Sequence, residues 1–467
     1  VNKMKKELSK GLKRFYGIGD LCFTLMSQVQ DVFFNFFLTN IALFSLGTTT
    51  LITTITTVVD AAFSWVYGAI INGTKPMRWG RYRSWLVAFT WIVPFIYTFK
   101  FIKIGEGLLP IVIIIAAGIV SSFIWNFPYV ANMSIIPVIG KTPADRMQLS
   151  STRAVYSRAS SILFSYMGLP LANFLSNFVG EAYKFGALAF VLGVLMVIGY
   201  FIHFKLTEGY EEPLYEETPV VEKNNRPSKE KKGTSGKSMV KGLFQNGPLL
   251  SLIVAEMTRW LANFVILGCA MYYFQYVAGN SGMLATYLLV ANIFCMVGAF
   301  ASKYFAKKMS SKILFFLSFM LMGGMLVIAR LFYSIPWIVI ILMAVAQFGF
   351  GCIYSTSPAM FADTAILAEW KTGEDGSAWI MGLGNVPLKV ALVLRGLLIN
   401  GVFALIGFSA TETEQASTAI QSGISNVFLL IPGIAVLIGG IIILLGFKLT
   451  KQQIEQMSED IEMRKSS

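Results

Sequence analysis

Charge is scarce in this chain. Asp, Glu, Lys and Arg make up 13% of its 467 residues, against about 25% in a soluble domain, which excludes an ordinary water-soluble globule. Histidine occurs once, at His203, and the four cysteines, Cys22, Cys269, Cys295 and Cys352, stand singly in apolar runs with no CxxC. Those absences exclude a disulfide framework and a zinc site. No GxxxxGKS or GxxxxGKT occurs, so no P-loop is available to hydrolyse ATP. With no nucleophile–base pair and no metal-ligand cluster visible, a membrane enzyme is disfavoured, and no cofactor or metal is expected. Long polar stretches are equally rare. There is one, about 205–243, containing EGYEEPLYEE and KNNRPSKEKKGTSGKS, and it reads as a linker because that composition cannot build a core.

What remains is apolar. Hydrophobic residues make up 55%, with 38 Phe and 41 Gly, and the mean hydropathy is +0.65. The chain is therefore expected to be an all-α membrane protein embedded in a lipid bilayer, its glycines serving close helix packing. Twelve transmembrane spans are predicted, at 14–41, 46–71, 84–102, 108–139, 147–174, 183–204, 248–277, 282–305, 312–333, 335–365, 378–406 and 424–447. The first is too long and too polar for a cleaved signal peptide. The net charge of +13 comes from basic residues at the N-terminus and after spans two, four, six, eight and twelve. That pattern is positive-inside asymmetry rather than nucleic-acid binding, and it puts both termini and the linker in the cytoplasm. The expected organisation is a six-helix half over 1–204, the linker over 205–243, a second six-helix half over 244–450 and a cytoplasmic tail over 451–467. Two halves of this kind place a transported solute near the midplane between them.

Polar residues inside the spans mark candidate sites. Asp60 is the one acid in the run from Leu46 to Ile71. It lies about 21 Å from the outer end at 1.5 Å per residue, where a charge is costly and seldom idle. Burial raises the pKa of an unpaired carboxylate and a cationic neighbour lowers it, which is how a proton- or cation-coupled group behaves. Span one presents Asp20, Thr24, Ser27, Gln28, Asp31 and Asn35 within roughly a 100° arc, facing either a wet cavity or hydrogen-bonding neighbours. Span four carries Trp125, Asn126, Tyr129 and Asn132 around Pro128, a mixture suited to a polyhydroxyl ligand and equally to packing around a proline kink. Span five holds Arg153 and Arg158. Span seven holds Glu256 and Arg259, whose spacing reads as an internal ion pair. Lys389 lies about 16 Å in from the cytoplasmic end of span eleven and is a natural partner for Asp60.

Three passages carry a family resemblance: YGIGD at Tyr16–Asp20, VDAAFSWVYGAIINGTKPMRWGRYRSW at Val59–Trp85, and ADTAILAEWKTGEDG at Ala362–Gly376. With LSSTR ending at Arg153, they resemble the glycoside–pentoside–hexuronide:cation symporters, the melibiose permease group of the major facilitator superfamily, over essentially the whole chain. The resemblance implies a twelve-helix facilitator fold and transport of a sugar or glycoside by alternating access, usually with Na⁺, Li⁺ or H⁺; a bacterial plasma membrane and a monomeric state are expected. Carried over by position, Asp60, Ser64 and Lys389 correspond to the cation-coupling region, with Ser64 standing where the family has a second acid. Asn126, Arg153 and Tyr354 correspond to the sugar site, with Asn126 standing for a sugar-binding aspartate and Tyr354 for a stacking tryptophan, and Asp20 and Tyr129 are expected near them. Phe123 replaces a threonine of the sodium site, and Ile366, Leu367 and Ala368 replace the family's Asp-Tyr-Gly. A site reduced to one carboxylate and a hydroxyl is a thin ligand set for Na⁺, so H⁺ is the expected coupling ion, with uncoupled facilitation as another reading. No phosphotransferase-type regulatory domain is expected. Two other readings stay open: a carrier of lipid-like amphiphiles, permitted by the Phe-rich spans, and a non-transporting sensor that kept the fold.

Overall fold

The structure is a computed structural model that describes residues 8–63, 67, 70–71, 74, 77–139, 143–211, 246–306, 308–373, 380, 383–384, 386–408 and 417–466. Ser64 and most of the 205–243 linker lie outside the described residues. The described chain is helical, and its one β-type pairing is an isolated bridge between Met77 and Gly80.

The helices are α1 (Lys10–Phe15), α2 (Ile18–Phe36), α3 (Leu46–Phe63), α4 (Arg83–Val87), α5 (Val93–Phe99), α6 (Leu109–Ser134), α7 (Pro143–Val179), α8 (Lys184–Leu206), α9 (Gly247–Tyr272), α10 (Met283–Phe305), α11 (Ser311–Leu331), α12 (Pro336–Thr372), α13 (Val386–Leu405), α14 (Thr418–Ser425), α15 (Ile431–Gly446) and α16 (Lys451–Ser466). Eleven helices among the described residues are long and apolar enough to cross a membrane. The predicted span 84–102 is present in pieces: α4, a 3₁₀ turn at Thr90–Ile92, and α5. Pro94 has no N–H to continue the ladder, and the Thr90 hydroxyl donates to Leu86 O at 2.6 Å, which loosens the joint further. Local chemistry sets the ends elsewhere. Ser9 and Ser310 cap α1 and α11, and Gly373, at φ 74°, closes the long α12 in the left-handed conformation.

Two helices end alike. α2 widens into a π turn at Phe37–Ile41, and α9 into one at Tyr273–Val277. Each is followed by a residue of positive φ, Leu43 at 56° and Gly279 at 62°. Each chain then turns back through matching bonds, Phe44 N to Leu38 O and Asn280 N to Phe274 O, both 2.9 Å. This is an internal repeat in which Asp20 precedes its turn by the same number of residues as Glu256 precedes the other.

Contacts divide the chain into two compact units, and α9, α10 and α13 each run from one into the other. The first comprises Val1–Tyr215, Leu267–Asn292 and Gly396–Ile424. Within it α2 packs on α8 and α7, α5 on α8 and α6, and α3 on α6. The second comprises Glu216–Ile266, Ile293–Arg395 and Ser425–Ser467. There α11 packs on α12 and α15, while α10 meets α12 backbone to backbone at Gly298 against Phe348 and Gly351 against Cys295. α16 was expected only as a tail. Its Ile454, Met457 and Ile461 fall at helical spacing, and it docks on α12, where Trp370 Nε1 donates to Asp460 Oδ2 at 2.9 Å and Arg464 Nη1 donates to Trp370 O at 3.0 Å.

Candidate substrate and coupling sites

In the first unit, α2 lies against α7 so closely that a Cβ on Gly17 would fall 2.6 Å from that of Tyr156. That approach brings Asp20 to Arg153. The guanidinium grips the carboxylate with two bonds, Nε to Oδ2 at 2.7 Å and Nη2 to Oδ1 at 2.5 Å. Asn132 Nδ2 from α6 donates to the same Oδ2 at 2.9 Å. The pair is nearly enclosed, with side-chain exposures of 11% and 6%. Bidentate, charge-assisted bonds of this kind are what make a buried pair tolerable. The Tyr129 ring lies 5.9 Å from the Arg153 guanidinium and stacks on Phe23 at 4.9 Å. Asn132 Oδ1 is buried and has no hydrogen-bond partner among the described residues. The cluster thus offers a carboxylate, a guanidinium, an amide acceptor and an aromatic face within a few ångströms.

The rest of the polar stripe on α2 is used between helices. Thr24 shares a bond with Ser157 at 3.0 Å, Gln28 Nε2 donates to Ser161 at 3.1 Å, and Ser160 donates to Leu21 O at 2.7 Å. Trp125 is buried edge-on against Tyr97 rather than presented beside Tyr129.

Asn126 joins a different group from the one its place in the sequence indicated. Its Nδ2 donates to Asp60 Oδ1 at 3.0 Å and to Ser122 O at 2.7 Å. The amide therefore serves Asp60, while Tyr129, nearly one turn further along α6, lies against the Arg153 guanidinium. Phe123, three residues before Asn126 on α6, gathers the rings of Phe63, Tyr67 and Phe127 against it.

One end of this unit is tied by a network that the sequence did not reveal. Asn35 Nδ2 donates to the Tyr272 hydroxyl at 2.9 Å and to Asn400 Oδ1 at 3.1 Å. The Thr39 hydroxyl meets that of Tyr272 at 2.6 Å, and Asn40 donates to the Tyr276 hydroxyl. The Tyr272 ring packs edge-on against Phe36, Phe403 and Phe408. Parts of α2, α9 and α13 are thus latched together at the π turns.

The Arg-Trp-Gly loop is held by a residue that sequence reasoning missed. Glu211, only 7% exposed, accepts from Tyr82 N at 2.9 Å and Arg83 N at 2.9 Å. Arg83 turns inward, donating to Phe204 O at 2.9 Å with its charge over the Phe204 ring. Gly80 is at φ 106°, and a Cβ there would lie 2.6 Å from Glu211 Cδ.

In the second unit, Lys389 is half-buried on α13 and Tyr354 is 41% exposed on α12. Tyr354 stands at the rim of an aromatic group formed with Trp260 and Phe350.

These groups are carried on helices long and apolar enough to cross a membrane, and comparison places the chain among known transporters. Residues 15–451 match the family described as MFS/sugar transport protein. The chain belongs to that family, a branch of the major facilitator superfamily whose members are transporters rather than enzymes. It is 24% identical to an uncharacterised symporter, YjmB, of Bacillus subtilis strain 168, over 98% of this chain and 97% of that one. It is 22% identical to the isoprimeverose transporter of Lactiplantibacillus pentosus, over 90% of this chain and 85% of that one. Its fold is similar to the crystal structure of a D-xylose–proton symporter, with a TM-score of 0.66, 12% identity, and coverage of 94% and 98% of the two chains. The motif resemblance to the melibiose permease group agrees with these matches.

Proposed function

We propose that this protein is a sugar or glycoside symporter of a bacterial plasma membrane, working as a monomer by alternating access and coupled to H⁺ rather than Na⁺. The observation that carries the sugar reading is the cluster of Asp20, Arg153, Asn132 and Tyr129. A ring sugar needs hydrogen-bond donors and acceptors for its hydroxyls and an aromatic face for its C–H surface, and those groups converge there. The similarity to an isoprimeverose transporter points the same way.

The coupling reading rests on Asp60. It takes its amide donor from Asn126, and four residues along the sequence Ser64 stands in place of a second acid. A single carboxylate that gains and loses a proton suits this composition better than a cage of hard oxygens for sodium. Lys389, on α13, is the basic residue of the proposed coupling step. Tyr354 belongs to the same substrate pathway. Both termini face the cytoplasm, from the basic loops, which makes the Asn35–Tyr272 latch an outer gate.

The test is uptake into proteoliposomes of labelled isoprimeverose and a panel of pentosides and hexosides. Counterflow of at least one of these sugars supports the reading. Absence of uptake across the panel, with transport of lysolipid instead, overturns it.

A further inference from the structure

The internal repeat places Glu256 in α9 where Asp20 stands in α2, and both acids hold an arginine. Asp20 takes Arg153 from another helix, whereas Glu256 takes Arg259 from its own. Arg259 donates through Nε to Glu256 Oε1 at 3.2 Å and through Nη2 to Oε2. The two side chains are among the most enclosed charges of the described residues, at 2% and 1% exposure. An i,i+3 pair on a surface helix contributes a few tenths of a kcal/mol and needs no such burial. Buried this deeply it is weak evidence for stability, since apolar residues of similar volume would serve as well.

The rest of the guanidinium is committed to a different surface. It lies 4.3 Å from the Trp260 ring centroid, 5.0 Å from that of Phe350 and 6.0 Å from that of Tyr354. Its Nη1 is buried and has no hydrogen-bond partner among the described residues. A buried donor left unpaired costs about 1–3 kcal/mol, so natural structures seldom keep one without a use. Trp260 and Tyr354 meet nearly at right angles, at 82°, and Tyr354 is the most open member of the group.

We propose that Arg259, held by Glu256 and walled by Trp260, Phe350 and Tyr354, is a second sugar-recognition subsite, and that it selects uncharged pyranosides over uronates. The inference rests on the sugar-transport reading above and deepens it. Glu256 cancels the charge of Arg259, so Nη1 acts as a directional donor to a neutral hydroxyl rather than as a cation for a carboxylate. The three rings supply the apolar face against which the C–H side of a pyranose packs. A carboxylate arriving here would meet the Glu256 charge nearby with no surplus positive charge to offset it.

The experiment uses the full chain in detergent and in proteoliposomes. It measures binding and counterflow of isoprimeverose and methyl xyloside against methyl glucuronide. Wild type is expected to bind the uncharged sugars at least tenfold more tightly than the uronate. Glu256→Gln releases the arginine's charge and should shift that ratio toward methyl glucuronide by tenfold or more, an effect that a merely structural ion pair would not produce. If Glu256→Gln fails to accumulate, the charge-neutral double variant Glu256→Gln/Arg259→Gln is read instead. It should lose at least tenfold in affinity for the uncharged sugars without gaining affinity for the uronate. A wild-type preference for the uronate overturns the subsite, as does an unchanged ratio in Glu256→Gln or unchanged affinity in the double variant; each of these leaves sugar transport standing. Failure of wild type to bind any of the three, or any sugar of the wider panel, overturns the transport reading itself.

Discussion

Removing one hydroxyl, in Tyr272→Phe, should loosen the latch without disturbing its packing. The ring keeps its contacts with Phe36, Phe403 and Phe408, while the bonds to Asn35 at 2.9 Å and Thr39 at 2.6 Å are lost. Each such bond contributes about 1 kcal/mol net, so the closed end loses about 2 kcal/mol. That is roughly a thirtyfold change in the ratio of open to closed populations. Thr49 is fully buried near the start of α3, next to this end in the chain, and reports on it. Introduced as Thr49→Cys, it should be labelled by a membrane-impermeant maleimide about thirtyfold faster in the Tyr272→Phe background. The four native cysteines are buried and add little signal. A rate within about threefold of the parent, under about 0.7 kcal/mol, would refute the latch. So would fast labelling from the cytoplasmic face alone.

Other outcomes follow from the same geometry. Glu211→Ala strips the acceptor from the Tyr82 and Arg83 N–H groups and should cost about 3 kcal/mol, read as a lower thermal midpoint in detergent. Gly80→Ala should cost a similar amount, through its φ of 106° and the clash with Glu211. Arg153→Ala leaves the Asp20 carboxylate buried and unpaired, a loss of about 3–5 kcal/mol. It should abolish sugar binding, whereas Asp20→Asn/Arg153→Gln should fold better and still not bind. Binding of the single variant within about twofold of wild type, about 0.4 kcal/mol, contradicts the assignment. A cysteine at Lys10 should stay closed to impermeant reagents in intact cells, and labelling from outside would reverse the proposed topology.

The spans were legible because apolar runs long enough to cross a bilayer have few other uses, and ten of the twelve appear as long helices among the described residues, three of them shifted by six to eight residues at one end. The exceptions are physical. The span 84–102 was visible as an apolar run, but its breaks at Thr90 and Pro94 belong to single residues within it. The span 46–71 is described as a helix only to Phe63. α16 is polar overall and carries its signal in three residues, Ile454, Met457 and Ile461. Asp20, Asp60 and Arg153 stood out because charge inside a span is rare. Their partners were harder to read. Asn126 was assigned by position to the sugar, and its bond to Asp60 depends on how α3 meets α6. Glu211 follows an apolar helix in a run of acids, and nothing in that run says that two backbone N–H groups of a distant loop will claim it. The repeat linking Asp20 to Glu256 is carried by backbone shape, with Leu43 in one copy and Gly279 in the other, so sequence identity does not display it.

The most direct measurement is sugar accumulation in proteoliposomes under imposed ion gradients, for wild type and Asp60→Asn. The amide copies the protonated carboxyl and keeps a partner for Asn126. Wild type should concentrate sugar when the medium is acid relative to the lumen, with or without Na⁺. Asp60→Asn should exchange sugar at equal concentrations and accumulate none. Accumulation by wild type that needs Na⁺ and ignores pH, or uphill transport that survives in Asp60→Asn, would contradict proton coupling through this residue.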